Sequence, residues 1–482
     1  MEDRTLGRCL TEYAGGGYYP YHMPGHKRRG AQGGSFSEAL AASMRYDITE
    51  IDGFDNLHEP EGILLEAQER AAALYGADDC FYSVNGSTAG ILTAVSAAVP
   101  EGGKLIMARN CHKAVYHSVY LRHLEPVYLY PGTVGDTELA APVTAAQVEE
   151  ALEQNPDAKA VLIVSPTYDG VAADVAGIAK AVHRRGVPLI VDAAHGAHFG
   201  LHPGFPESPV RLGADLTVVS LHKTMPCPTQ TALLLCSGSR VAKERLRLFE
   251  GIYQTSSPSY LLMAAMDECV SAVRRTGAAL WDAFFRERAA FLEQCSGLLG
   301  LRILTDGTFE LGKTGEQLKF LMDPGKILIE TSKTCLTGKQ FYDILLEQYH
   351  LQMEMAAGNY VTAIMTCCDS KEGWQRLAEA LVSIDRSVAG SVPGHESRLR
   401  EYPFLEKAVS LTEALDAPKE KASLEEAEGK ISGGFVNLYP PGIPVVVPGE
   451  RISREAARLI MRYRQQNLPL QGAEEGAITI LK

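Results

Sequence analysis

A histidine and a lysine, His222 and Lys223, stand shortly after an apolar run, residues 216–219, and just before a Met-Pro pair. The run predicts a strand, so the lysine at its end is expected to be partly desolvated. Burial lowers the pKa of a lysine, which leaves more neutral amine to form an imine with an aldehyde. A lone lysine at a strand end is more often structural or exposed. Whether Lys223 does chemistry therefore depends on the residues that accompany it.

Small and hydroxylated residues, Asn85-Gly86-Ser87-Thr88, lie between another apolar run and a helix-like stretch. Backbone N–H groups at the start of a helix bind anions, and Ser87 and Thr88 can add hydroxyl donors. An ordinary helix-capping turn explains the same residues. The string matches neither the Walker A pattern nor GxGxxG, which disfavours a nucleoside triphosphate or a dinucleotide. The turn is thus a candidate site for a smaller anion.

Asp192 directly follows the apolar run 189–191 and precedes His195 and His198. A carboxylate that leaves a buried strand needs a partner, and a protonated pyridine nitrogen is one. A metal site formed by Asp192, His195 and His198 is an alternative, although no further ligand motif has a recognisable spacing. A purely structural network is another. All three interpretations stay open on these residues alone.

Short apolar runs alternate with amphipathic stretches between residues 60 and 240, which predicts a mostly parallel sheet covered by helices. In open α/β sheets, ligands bind beyond the carboxyl ends of the strands. Four polar residues directly follow such runs and are expected at one edge: Asn85, Ser165, Asp192 and Ser220. The runs are 80–84, 104–107, 160–164, 189–191, 216–219 and 232–235.

Beyond residue 240 the pattern becomes helical and then mixed, with strand-like runs at 326–330 and 360–365. Charged, proline-punctuated sequence follows at 391–432, and then a Pro- and Gly-rich stretch around an apolar run, 439–450. A chain of this length usually forms two or three domains. We predict an N-terminal segment (1–30), a large cofactor-binding domain (31–290), a small α/β domain (291–390), and a linker with a C-terminal α+β domain (391–482).

The composition is that of an ordinary globular protein, with 46% hydrophobic and 22% charged residues. A net charge of −13 argues against broad binding to nucleic acid or anionic membranes. No signal peptide and no membrane-spanning run is recognised. The ten cysteines are scattered without metal-binding spacing. These features predict a reduced, cytoplasmic protein without a metal.

Several motifs together resemble those of the bacterial Orn/Lys/Arg decarboxylases, fold-type I (aspartate aminotransferase-like) enzymes that depend on pyridoxal 5′-phosphate. The resemblance extends from near the N-terminus to the last fifty residues. The larger members carry an N-terminal receiver-like domain for which this sequence has no room, so a short form is expected. The matching stretches are His22-Met23-Pro24-Gly25-His26-Lys27, Asp55-Asn56-Leu57-His58, Asn85-Gly86-Ser87-Thr88, Asn110-Cys111-His112-Lys113, Asp192-Ala193-Ala194-His195-Gly196, Ser220-Leu221-His222-Lys223 and Tyr439-Pro440-Pro441-Gly442-Ile443-Pro444.

The resemblance implies roles for the residues around the cofactor. Lys223 is expected to bind the cofactor covalently, Asp192 to pair with the pyridine nitrogen, and His195 to lie near the ring hydroxyl. His222 is expected at the substrate face, and either His222 or Lys223 to protonate the substrate carbon. The cofactor phosphate is expected to be held by Gly86, Ser87, Thr88, Ser220 and His222.

Three further residues receive roles by the same resemblance. His112 is expected to stack on the cofactor ring, although a helix-start histidine that packs locally is the alternative. Thr255 resembles a phosphate contact made from the neighbouring subunit, which implies a homodimer with shared active sites. Glu354 resembles the carboxylate that meets the distal cation of the substrate, although a solvated strand-end glutamate is the alternative.

The implied reaction is decarboxylation of a basic amino acid within polyamine metabolism. Arginine to agmatine ranks first, lysine to cadaverine second and ornithine to putrescine third. Another fold-type I reaction, by an aminotransferase or a β-eliminating lyase, remains an alternative, as does a catalytically silent regulatory homologue. The short C-terminal region also implies that some substrate contacts of the larger members are missing.

Overall fold

The computed structural model describes residues 4–28, 38–134, 137, 139–305, 307–311, 316–391, 403–438 and 442–482. The chain forms two compact units. The first unit comprises Met1–Ala98 and Pro188–Trp281, and the second comprises Val99–Val187 and Asp282–Lys482. The predicted segments 1–30 and 391–432 and the Tyr439-Pro440-Pro441 motif lie partly or wholly outside the described residues.

The helices of the described residues are α1 Leu6–Gly15, α2 Glu38–Met44, α3 Ile63–Tyr75, α4 Gly86–Ala98, α5 Lys113–Leu121, α6 Ala145–Gln154, α7 Val175–His183, α8 Leu221–Thr224, α9 Lys243–Tyr253, α10 Tyr260–Gln294, α11 Gly338–Tyr349, α12 Lys371–Val388, α13 Leu411–Asp416 and α14 Arg454–Gln465. Within the part of the chain that the structure describes, none of them is both long and apolar enough to cross a membrane.

The strands are β1 Asp79–Ser83, β2 Lys104–Ala108, β3 Glu125–Leu129, β4 Ala160–Val164, β5 Val171–Ala172, β6 Leu189–Asp192, β7 Leu216–Ser220, β8 Ala232–Cys236, β9 Arg302–Leu304, β10 Gly307–Leu311, β11 Glu316–Met322, β12 Lys326–Glu330, β13 Met355–Ala356, β14 Tyr360–Ile364, β15 Lys419–Ser423, β16 Val436–Leu438, β17 Ile443–Val446, β18 Leu470–Gln471 and β19 Ala477–Leu481. The apolar runs predicted as strands are all confirmed.

In the first unit the strands lie in the order β1-β8-β7-β6. β6 and β7 are parallel, whereas β8 runs antiparallel to both of its neighbours. Ala232 of β8 pairs with Ser83 on one side and with Ser220 on the other. Because β1 and β7 therefore point the same way, their carboxyl ends meet at one edge, as the sequence predicts.

In the second unit, β4, β2 and β3 form parallel pairs in that order. The sequence did not predict β3, whose residues include Glu125 and Pro126 and are only partly buried. A strand at the end of a row of strands needs no continuous apolar run, because one of its sides has no neighbouring strand. The strands β12 and β14 pair antiparallel, and both were predicted.

The C-terminal part of the second unit has its own apolar core. Residues of α14 and of the strands β15 to β19 enclose it, with Ile452, Ile460 and Ile478 fully buried. Helix α14 is amphipathic and begins at Ser453, whose side chain accepts a hydrogen bond from the Ala456 N–H at 3.2 Å. The predicted C-terminal α+β domain (391–482) stays a prediction, because these residues belong to the larger second unit.

Helix α9 is attached to the end of β1 by a buried glutamine. Gln254 accepts a hydrogen bond from the Val84 N–H at 2.7 Å and donates to the Tyr82 carbonyl at 3.0 Å. Its amide also lies 2.9 Å from the carboxyl of Glu250. Burial raises the pKa of Glu250 to about 8, although the Gln254 hydrogen bond opposes the shift. The carboxyl is therefore protonated in the folded protein at neutral pH.

Replacing Glu250 by glutamine is expected to flatten the pH dependence of stability. The folded pKa of about 8 exceeds the ordinary 4.5, so the folded state keeps a proton that the unfolded chain loses. The stabilising contribution is therefore complete below the unfolded pKa and falls as the pH rises toward the folded pKa. Between about pH 5 and 8 this loss is on the order of 3 kcal/mol. In calorimetric melting across this range, the free energy of unfolding should fall less steeply with pH for Glu250→Gln than for the wild type.

Glu244 provides the control, because it is exposed on the same helix. Glu244→Gln should keep the decline of the wild type. Equal declines for the wild type and Glu250→Gln would contradict a protonated Glu250.

Candidate active site

The turn between β1 and α4 begins the site. Gly86 has a φ of +74°, a left-handed conformation that favours glycine, and it opens helix α4. The Ser83 hydroxyl donates to the Gly86 carbonyl at 2.7 Å, which fixes the turn. The Ser87 hydroxyl accepts from that of Ser220 at 2.8 Å. The start of α4, with Ser87 and Thr88, is thus held against the end of β7.

Helix α8 presents His222 and Lys223 directly after β7. It is a single turn, closed by a hydrogen bond from the Met225 N–H to the Leu221 carbonyl at 2.8 Å. Ser220 precedes it and is fully buried. Because the turn is so short, the side chain of Lys223 remains near the edge where the strands end.

Lys223, His195 and Asp192 are brought together at this edge. The Nζ atom of Lys223 lies 3.1 Å from Nε2 of His195. Asp192 ends β6, is buried, and accepts a hydrogen bond from the Ala194 N–H at 3.1 Å. Burial raises the pKa of the Asp192 carboxyl, while the charge of Lys223 and the Ala194 hydrogen bond act in the opposite direction. A cationic neighbour therefore favours the ionised form of this buried carboxyl.

His222 is oriented by the backbone. Its Nδ1 lies 3.1 Å from the Thr231 carbonyl, so Nδ1 carries a proton and donates it. Half-burial lowers the pKa of His222, and the charge of Lys223 lowers it further, against the effect of the Thr231 hydrogen bond. At neutral pH the imidazole is therefore neutral, with Nε2 left as an acceptor.

The metal interpretation of Asp192, His195 and His198 gains no support. His198 is buried beside aromatic rings, with its centroid 4.5 Å from that of Phe205 and 6.1 Å from that of Trp281. Across the described residues, no group of three or more His, Cys, Asp or Glu side chains is arranged to hold a metal. His198 is better explained by its packing.

Thr255 is exposed and lies just beyond α9. Its carbonyl accepts a hydrogen bond from Nε2 of His58 at 2.8 Å, which gives the Asp-Asn-Leu-His motif a contact. Asn85, in the turn between β1 and α4, donates to the neighbouring Tyr253 carbonyl at 3.2 Å. The segment that carries Thr255 is thus fastened to this turn of its own chain, and the Thr255 hydroxyl accepts a hydrogen bond from the Ser257 N–H at 3.3 Å.

His112 and Glu354 belong to the second unit. His112 precedes α5 and accepts the Ala114 N–H on Nδ1 at 3.2 Å, as a helix-capping residue does. Glu354 is exposed and accepts a hydrogen bond from the Tyr168 hydroxyl. The capping contact supports the local-packing alternative for His112, and the exposure of Glu354 is compatible with a solvated carboxylate.

Sequence reasoning did not identify Arg109 or Gln254, and it gave no role to His58 of the Asp-Asn-Leu-His motif. Arg109 directly follows β2, so the same rule that selected Asp192 and Ser220 would have found it. Gln254 and His58 stand in loops whose partners are far away along the chain, and no local pattern signals their contacts. Arg109 is buried and bonded to Glu450.

The first-unit residues fit pyridoxal 5′-phosphate by the chemistry of their side chains. The turn at Gly86 and the hydroxyls of Ser87, Thr88 and Ser220 suit a phosphate. A buried carboxylate at Asp192 suits a protonated ring nitrogen, and Lys223 suits the aldehyde. Gly90 matters as well, because a Cβ there would lie 3.0 Å from a methyl group of Val218. The close contact between α4 and the strands therefore favours a glycine at this position.

Comparison with known proteins identifies the family. The profile described as "Orn/Lys/Arg decarboxylase, major domain" matches residues 5–301, and that of the C-terminal domain of the same family matches residues 401–468. The chain is 31% identical to the arginine decarboxylase of Bacillus subtilis (strain 168), over 100% of this chain and 98% of the relative. It is 30% identical to the arginine decarboxylase of Halalkalibacterium halodurans, over 96% of this chain and 94% of that protein.

Solved structures show the same fold. The lysine decarboxylase A of Pseudomonas aeruginosa superposes with a TM-score of 0.82 at 20% identity, covering 99% of this chain and 80% of that chain. The lysine decarboxylase of Francisella novicida gives a TM-score of 0.82 at 18% identity, with 99% and 81% covered. The predicted α/β fold of fold-type I pyridoxal-phosphate enzymes is confirmed. The chain therefore belongs to the Orn/Lys/Arg decarboxylase family, the pyridoxal-phosphate-dependent enzymes that decarboxylate basic amino acids.

Proposed function

We propose that this chain decarboxylates arginine in preference to lysine and ornithine, and that it thereby supplies agmatine to polyamine metabolism. The supporting observation is the cluster of Lys223, His195 and Asp192 in a chain several of whose full-length relatives at about 30% identity are named arginine decarboxylases. The lysine decarboxylases of Pseudomonas aeruginosa and Hafnia alvei are only 22% and 21% identical to it.

We assign the cofactor-binding residues the roles that membership of the family implies. Gly86, Ser87, Thr88 and Ser220 are assigned to the phosphate. His222 donates its Nδ1 proton to the Thr231 carbonyl and has no second N–H to offer a phosphate oxygen. Asp192 is assigned to the ring nitrogen, His195 to the ring hydroxyl, His112 to the ring face and Lys223 to the covalent bond. When bound, pyridoxal phosphate acts as an electron sink for the pair released with carbon dioxide. Asp192 strengthens that sink by keeping the nitrogen protonated.

We assign the protonation of the substrate Cα to Lys223 rather than to His222. His222 is neutral, and its one ring proton is engaged with the Thr231 carbonyl. It has no proton on Nε2 to deliver. The ammonium group of Lys223 carries three protons. His222 is left to orient the substrate through its Nε2 acceptor.

Glu354 is assigned to the distal cation of the substrate. Its carboxylate is exposed, and the Tyr168 hydroxyl holds it in one orientation. A guanidinium offers a carboxylate two parallel hydrogen bonds, whereas an ammonium offers a point charge. An oriented carboxylate therefore favours arginine over lysine.

We further propose that the active protein is a homodimer in the cytoplasm. Thr255 is exposed on its own chain, as expected for a residue that reaches the phosphate of the partner subunit. All ten cysteines of the sequence lie within the described residues and are free thiols, which suits a reducing compartment.

A product assay over the three basic amino acids tests the substrate. With added cofactor, kcat/KM for carbon dioxide release is expected to be highest with arginine, with agmatine as the other product. Glu354→Gln should raise KM for arginine roughly tenfold with little change in kcat, because it removes the charge that binds the distal cation. Glu347→Gln, at an exposed site on α11, is the control.

Two other results would contradict different parts of the proposal. Release of a keto acid or pyruvate without carbon dioxide would indicate another fold-type I reaction. Carbon dioxide release from lysine alone would retain the reaction and reject the preference for arginine.

Borohydride reduction tests Lys223. Reduction of the wild type with bound cofactor should abolish its visible absorption and add the cofactor mass to the peptide that contains Lys223. Lys223→Ala should bind cofactor without that covalent mass and lose at least about a hundredfold in kcat. Lys243→Ala, at an exposed site on α9, is the matched control and should label as the wild type does. Covalent labelling of another lysine in Lys223→Ala would reject the assignment.

Mixing two inactive variants tests the shared active site. Lys223→Ala and Thr255→Ala are each expected to be impaired alone. In a mixed dimer, one active site regains both an intact lysine and an intact threonine. Random exchange in equal amounts should therefore restore about a quarter of wild-type activity, because half of the dimers are mixed and each has one good site.

Mass spectrometry of the mixture should show the mixed dimers directly. Their formation without recovered activity would mean that Thr255 serves the site of its own chain.

A further inference from the structure

A buried ion pair links the end of β2 to the C-terminal region within the second unit. The side chains of Arg109 and Glu450 are 1% and 2% exposed, and they are joined by two hydrogen bonds: Nη2 to Oε2 at 2.9 Å and Nε to Oε1 at 3.2 Å. Arg109 also donates from Nη1 to the Pro444 carbonyl at 2.7 Å and from Nη2 to that of Val445 at 3.3 Å. The pair thus fastens β17 and the turn after it to β2.

Every N–H of the Arg109 guanidinium has an acceptor. The fifth is the Tyr116 hydroxyl, 3.2 Å from Nη1, and this hydroxyl itself donates to the Arg109 carbonyl at 2.7 Å. Glu450 is further fixed by the Val447 N–H, which donates to Oε2 at 2.8 Å. A fully satisfied buried network holds its members in a single arrangement.

This network includes residues on both sides of His112 in the sequence. Arg109 lies three residues before it, and Tyr116 lies on α5, the helix that His112 caps. Arg109 therefore ties one end of the turn between β2 and α5 to the C-terminal region, and Tyr116 ties the other end to Arg109. The C-terminal region accordingly fixes where the turn that carries His112 can lie.

Stability alone is a poor reason for such a pair. Removing two charges from water costs several kcal/mol per ion, and apolar replacements of similar volume are often neutral or stabilising. What the pair supplies, and apolar side chains do not, is a fixed register between two segments.

We propose that Arg109, Glu450 and Tyr116 are positioning residues that hold the imidazole of His112 in place for the cofactor ring. The inference rests on the role of His112 in the proposed function. Under this proposal, the C-terminal region contributes to the reaction through the position of His112.

The test compares ion-pair variants with a matched control. Arg109→Met with Glu450→Leu removes the pair without leaving a lone buried charge, and Tyr116→Phe removes only the linking hydroxyl. The control is Arg70→Met with Asp267→Leu in the first unit. That pair is also buried, with side chains 12% and 0% exposed and hydrogen bonds of 3.0 and 2.9 Å.

Visible circular dichroism of the bound cofactor, the cofactor Kd and kcat are measured for each variant. We expect the Arg109/Glu450 variant to lose visible dichroism and to fall about tenfold to a hundredfold in kcat. Tyr116→Phe should show a smaller change in the same direction. The control should stay within about twofold of the wild type in visible dichroism and in kcat, whatever its melting temperature.

A combination with His112→Ala separates positioning from general damage. If the pair acts through His112, removing it from His112→Ala should cause little further loss in kcat or dichroism. Additive losses would overturn the inference, as would a folded Arg109/Glu450 variant with wild-type dichroism. If that variant does not fold, Tyr116→Phe decides instead. The inference is overturned if Tyr116→Phe has no effect, or if its loss adds in full to that of His112→Ala. Should His112→Ala alone leave dichroism and kcat unchanged, the proposed role of His112 itself fails.

Discussion

The candidate site depends on one feature of strand pairing, the antiparallel strand β8 between β1 and β7. Ala232 pairs with the last residue of each neighbour, Ser83 and Ser220, so the ends of two strands far apart in sequence lie side by side. The hydrogen bond between Ser220 and Ser87 follows from that register. A slip of one residue would turn each side chain of the shifted strand to the opposite face. The turn between β1 and α4 and the helix α8 that carries Lys223 would then no longer meet.

Burial gives that edge its chemistry. Asp192 and Glu250 are both carboxyls whose pKa is raised by desolvation, yet their neighbours differ. Asp192 lies near the charge of Lys223, which favours the ionised form. Glu250 has the neutral amide of Gln254 as its closest partner and reaches a pKa of about 8. Desolvation therefore acts on both carboxyls, but it leaves Asp192 ready to pair with a cation and makes Glu250 a neutral packing group.

The sequence predicts those parts of the molecule that depend on local patterns. Buried strands need continuous apolar runs, so β1, β6 and β7 could be located, and the polar residues after them followed. Contacts made by single side chains over long separations leave no such pattern. Gln254 bonds to Val84 across 170 residues, and Arg109 to Glu450 across 341. β3 was not predicted because its local pattern is weak: the strand is only partly buried, so it has no continuous apolar run.

The pairing of Lys223 with His195 bears on how a proton is kept at the site. An ammonium group can only donate, so a charged Lys223 requires His195 to accept on Nε2. A neutral amine can accept, and the same 3.1 Å contact then lets a protonated Nε2 donate in return. One proton can therefore remain in the pair in either state. His222, whose Nδ1 proton is directed to the Thr231 carbonyl, lies outside this exchange. Such an arrangement would hold, on either Lys223 or His195, the one proton that we propose Lys223 delivers to the substrate carbon.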